Sequence, residues 1–77
     1  MRLPYTTYVH YRRQGYRGKG TVRDISPDGM FFEARDQFAL GERIQINFRY
    51  RHGGASTDML GEIARIGPAG VGVRFVW

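Results

Sequence analysis

The chain contains no cysteine and a single lysine. The first absence excludes a disulfide framework and any thiolate metal site. Two histidines, His10 and His52, are a poor basis for a histidine-built metal centre. Proline is scarce, at 3 residues. No apolar run approaches the roughly 20 residues of a membrane-spanning helix, and the first residues lack the basic-then-apolar pattern of a secretory leader. A cytoplasmic domain without membrane insertion is the expectation. Carboxylates are few, and Glu33, Glu42 and Glu62 fall in separate segments, so no catalytic carboxylate pair is expected. His52 has no nearby acid–nucleophile arrangement. No enzyme and no cofactor are expected.

What is present is arginine. The formal charge of +5 comes from eleven arginines and one lysine against seven acids. Arginine offers a planar fork that grips phosphate through two hydrogen bonds and stacks on bases, which lysine does not. A nucleotide or nucleic-acid ligand fits that bias; a solvated basic surface fits it equally well. With 77 residues the chain allows one small domain, 1–77. Such a domain buries only about 60% of its unfolded surface and needs an efficient closed architecture.

Short alternating segments, each ended by glycine, proline or aspartate, replace any helical period. In Arg43–Tyr50, Ile44, Ile46, Phe48 and Tyr50 share one face, and Arg43, Gln45, Asn47 and Arg49 the other. That period of two predicts a half-buried strand. Val71–Trp77 repeats it, with Val71, Val73, Phe75 and Trp77 together. Tyr5–Tyr11, Gly20–Ile25, Met30–Ala34 and Leu60–Ile66 complete six strands. Arg12–Lys19, with Gly15 and Gly18, reads as a hairpin loop, and Arg51–Asp58 as another. Asp36–Glu42 is a connection, with Phe38 and Leu40 expected to tuck inward. Six short strands predict an all-β fold, a small six-stranded antiparallel barrel whose closure removes sheet edges.

The densest cluster of chemistry is Asp24-Ile25-Ser26-Pro27-Asp28-Gly29. Asp24 and Ser26 lie two apart, so on a regular strand they share a face. Pro27 ends pairing and Gly29 permits backbone closed to other residues. A carboxylate can accept from the donor edge of guanine, and an arginine can reach its acceptor edge. The same six residues also make a good turn, with the side chains capping their own backbone. Tyr5, Tyr8, Tyr11, Tyr16, Phe31, Phe32 and Phe38 are either a stacking platform or, more often for such residues, barrel core.

This hexapeptide resembles the Asp/Asn-x-Ser-x-x-Gly signature of the PilZ domain, a bacterial receptor module for cyclic di-GMP. Leu40 to Phe48 resembles that family's approach into its next strand. Gly61 to Ile66 followed by Gly70 to Phe75 resembles its closing hairpin. The resemblance implies a six-stranded barrel and a ligand site at Asp24, Ser26 and Gly29. It also implies a second motif, Arg-x-x-x-Arg, before the first strand. Arg13 to Arg17 matches the spelling but not the place, and reads as a solvated basic turn. Arg2, in the run Arg2-Leu3-Pro4, resembles the second arginine of the pair. On that register the first would precede Met1, so half of the clamp is expected.

The function implied by the resemblance is a cyclic di-GMP receptor that relays second-messenger level to a protein partner. The alternative is a degenerate PilZ-like adaptor that does not bind the nucleotide and acts through protein contacts in pilus, motility or biofilm control. Nucleic-acid binding is the weaker reading, because no strand interleaves aromatics with lysines.

Overall fold

The computed structural model describes residues 7–49 and 56–76. Six strands follow one another: β1 Thr7–Arg13, β2 Tyr16–Ile25, β3 Gly29–Glu33, β4 Arg43–Arg49, β5 Ser56–Gly67 and β6 Gly70–Val76. All neighbours are antiparallel, and they close into a barrel in the order β1-β2-β3-β6-β5-β4. The alternation read in the sequence is the alternation of burial. Val9 and Tyr11, Ile44, Ile46 and Phe48, and Val71, Val73 and Phe75 all point into one core. Ile63, Phe32 and Met30 fill its middle. Tyr5, Tyr50, Trp77 and most of the expected 51–58 loop lie outside the described residues.

The first hairpin departs from expectation. Arg12–Lys19 is not a loop, because the turn consists of Gln14 and Gly15 alone, both with positive φ (46° and 81°). Two such residues form the primed turn whose twist matches paired strands. Arg12 therefore faces Arg17 and Arg13 faces Tyr16 within the ladder. Gly18 was read as a breaker but serves packing, since a Cβ there would overlap the Tyr11 ring. Strand β5 likewise begins earlier than expected, at Ser56. Asn47 Nδ2 donates to Asp58 Oδ1 at 2.7 Å where those two residues pair.

The connection between β3 and β4 is fastened from three directions. Phe38 packs on Tyr11 and Phe32 with ring centroids 5.3 and 6.0 Å away, as its apolar ring predicted. Leu40 does not tuck inward and is 68% exposed. It occupies the turn closed by Glu42 N–H donating to the Ala39 carbonyl, and Gly41 reverses the chain there with φ 84°. Arg13 is not a solvated turn residue either. Its guanidinium makes two contacts to the Glu42 carboxylate, at 2.7 and 3.3 Å, and lies 4.6 Å from the Phe38 ring centroid. Asp36 accepts hydrogen bonds from the hydroxyls of Tyr11 and Tyr16.

That last contact has a pH signature. Burial first, and the hydrogen bond to Asp36 second, push the Tyr11 hydroxyl well above its ordinary 10.0. The folded state thus holds this proton more tightly than the unfolded chain does. Its contribution to stability is complete below pH 10 and is lost as pH rises past the unfolded value. Urea midpoints should accordingly hold steady near neutrality and fall above pH of about 10, less steeply in Tyr11→Phe. An identical alkaline decline in both proteins would show that Tyr11 plays no part.

Candidate functional site

Strand β2 reaches its end with a defect. Pairing with β3 slips between Val22 and Asp24, a bulge that leaves Arg23 and Asp24 both exposed before Ile25 returns to the core. Bulges re-aim side chains and sharpen local twist. Asp24 and Ser26 therefore do not share a face by strand alternation, as a regular strand would have had it. Ser26 lies beyond the end of β2, and what brings it beside Asp24 is the corner itself.

That corner is built from its own backbone. Ser26 N–H donates to the Gly29 carbonyl at 2.8 Å. The Ser26 hydroxyl accepts from Asp28 N–H at 3.3 Å and points to the Gly29 carbonyl at 3.5 Å. The turn-capping role that the sequence allowed is therefore real for Ser26, although a hydroxyl keeps a second acceptor lone pair. Phe75 N–H donates to the Asp28 carbonyl at 2.8 Å and ties the corner to β6. Gly29 pairs with Arg74, and a Cβ at Gly29 would overlap the Val73 carbonyl oxygen. Only glycine lets β3 start this close to β6.

Around the corner lies a shallow concavity of about 390 Å³. Asp24, Ser26, Asp28 and Gly29 line it together with Phe31, Arg65 and Arg74. Arg65 and Arg74 are not among the site residues expected from the sequence. Phe31, expected as part of either a stacking platform or the core, is only partly buried, and the Arg65 guanidinium carbon lies 5.5 Å from its ring centroid. Arg65 reaches this position because β5 has its own slip against β6, between Ile63 and Arg65. Arg74 is held by Glu62 at 3.4 Å, and the same carboxylate oxygen is 3.8 Å from Arg43. Arg65 makes no ion pair among the described residues. The signal for these arginines was available in outline: both sit in the closing hairpin, one on the outward face of an alternating strand.

The remaining aromatics divide. Tyr11, Phe32 and Phe38 are core, whereas Tyr8 and Tyr16 are about half exposed, Tyr8 on β1 opposite Thr21 and Tyr16 at the far end of β2 from this corner. Arg2, the expected clamp residue, lies outside the described residues, as does Tyr5. Among the described residues no group of histidine, aspartate and glutamate is arranged to hold a metal ion. No helix there is long and apolar enough to cross a membrane.

Chemically, the concavity offers a carboxylate for N–H donors, two guanidiniums for anionic oxygens and a ring–guanidinium pair for a flat heterocycle. It presents no nucleophile–base pair. No curated protein matches the sequence. The family model of the PilZ domain does, over residues 1–77. The chain therefore belongs to the PilZ domain family of receptor-type modules for cyclic di-GMP.

Proposed function

We propose that this chain is a cyclic di-GMP receptor whose site is the Asp24–Gly29 corner, with occupancy relayed to a protein partner. The supporting observation is the juxtaposition of that corner with Phe31, Arg65 and Arg74 in one concavity. Asp24 accepts from the N1–H and N2–H edge of a guanine. The Ser26 hydroxyl offers its remaining acceptor capacity, and Gly29, by letting β3 start close against β6, sets the corner beside Arg74. Arg65, stacked on Phe31, faces either the base or a phosphate, and Arg2 supplies a phosphate contact from the segment before β1. Charge-assisted hydrogen bonds of this kind contribute about 1.5–3 kcal/mol each. A second guanidinium from β5 thus has the weight to offset half of an arginine clamp.

A calorimetric titration with cyclic di-GMP, paired with NMR of the amides from Asp24 to Gly29 and at Arg65, tests this. Saturable heat with shifts confined to those residues is the expected result. Neither heat nor shifts at high ligand concentration would reject the receptor reading. The adaptor reading draws its support from Ser26, whose hydroxyl already serves the turn. It requires a protein partner that binds equally well with and without the nucleotide.

A further inference from the structure

The outer face of the β1–β2 hairpin carries a charge imbalance that the Asp24 corner does not use. The register sets Arg12 directly opposite Arg17, and His10 directly opposite Lys19. All four are exposed. Like charges facing each other across a ladder repel. The chain has acids that would relieve this, and all seven lie among the described residues. Four are used elsewhere: Glu42 holds Arg13, Glu33 holds Arg23, Glu62 holds Arg43 and Arg74, and Asp36 binds two tyrosines. Asp24 and Asp28 lie at the corner where β2 ends, and Asp58, across the hollow on β5, accepts from Asn47 at 2.7 Å. Arg12 and Arg17 form no ion pair among the described residues. Beside them the curved sheet forms a hollow of about 620 Å³, where the Gln45 and Asn47 amides lie next to the two arginines.

We propose that this face docks a short acidic segment of a partner protein. The cations Arg17 and Lys19 stand two residues apart on β2, about 7 Å, with Arg12 across the ladder from Arg17. An extended peptide presents every second side chain at the same period, so alternate carboxylates meet successive rungs. The side-chain amides of Gln45 and Asn47 can pair with the peptide's backbone groups. A nucleic-acid strand fits less well. It needs a long cationic groove with open ring faces. Here the track is two rungs long, Asp58 lines the far side of the hollow, and Lys19 Nζ already covers the Tyr8 ring at 4.2 Å. Arg17 stands about 23 Å from Asp24 along β2, by the rise of a strand. The proposal does not depend on the nucleotide reading.

An NMR titration of the isotope-labelled chain with a synthetic peptide alternating glutamate and serine tests the assignment. The same peptide with lysine for glutamate and a single-stranded oligothymidylate serve as comparison probes. Shifts are expected at His10, Arg12, Arg17 and Lys19 with the acidic peptide. The double variant Arg12→Gln, Arg17→Gln should bind it about tenfold more weakly or worse. That variant should melt no lower than the parent, and its titration with cyclic di-GMP should match the parent's, which separates the two sites. Peptide shifts spread evenly over Arg43, Arg65 and Arg74, undiminished binding by the variant, or tighter binding of oligothymidylate on this face would each overturn the proposal.

Discussion

Phe32→Ala is expected to remove about a quarter or more of the stability of the fold. The ring is fully buried on β3, which runs between β2 and β6. It stacks on Tyr11 at 5.6 Å and meets Phe38 edge-on. Gly20 flanks the ring because nothing larger fits, a Cβ there sitting 2.6 Å from its Cδ1, and Gly70 packs as closely on the Phe32 backbone carbonyl. Neighbours this close, and already lacking side chains, cannot collapse into the space the ring leaves. Truncating a buried phenylalanine costs about 3–5 kcal/mol. A domain of this length has roughly 4–12 kcal/mol in total. A urea midpoint lowered by about a quarter or more is therefore expected, with Phe32→Leu lowered less. A variant with the parental midpoint would mean that this ring does not organise the core.

Asp24→Ala should act in the opposite domain of behaviour, on affinity rather than on the fold. Asp24 is exposed, so its removal should shift the melting temperature little. In the receptor reading it loses the contacts to a guanine donor edge, about 1.5–3 kcal/mol for a charged acceptor, or one to two orders of magnitude in Kd. The specificity should change as well. Adenine presents an acceptor at N1 where guanine presents a donor, so the parent should prefer cyclic di-GMP to cyclic di-AMP, and Asp24→Ala should narrow that preference. Competition calorimetry with the two dinucleotides measures both effects. Equal affinities of parent and variant for cyclic di-GMP would remove Asp24 from the site.

The barrel was legible because its strands obey period two where they are regular. Ile44, Ile46 and Phe48 announced their face without help from any neighbour, and so did Val71, Val73 and Phe75. Legibility failed where a residue's meaning depends on what lies across the sheet. Gly18 looks like a loop glycine until the Tyr11 ring is placed against it. Leu40 looks like core until the 39–42 turn aims it outward. The site divides along the same line. Asp24, Ser26 and Gly29 are contiguous and could be read as a motif. Arg65 and Arg74 come from a distant hairpin, and a bulge decides where Arg65 points. No local pattern encodes that meeting.

Four of the six ladders join strands adjacent in the chain, but β3–β6 and β1–β4 join strands far apart, and each has only four paired positions. Bringing such segments together costs chain entropy before any contact repays it, so these two joints set the pace of folding. Gly29 and Arg74 are partners across one of them. The Asp24 corner and its arginines therefore come into being together only when the last circuit of the sheet is complete. In the receptor reading a ligand held there binds the closed chain alone, and should raise the melting temperature with the logarithm of its concentration once that exceeds Kd. On that reading, sensing a nucleotide and finishing the fold are coupled through the same joint.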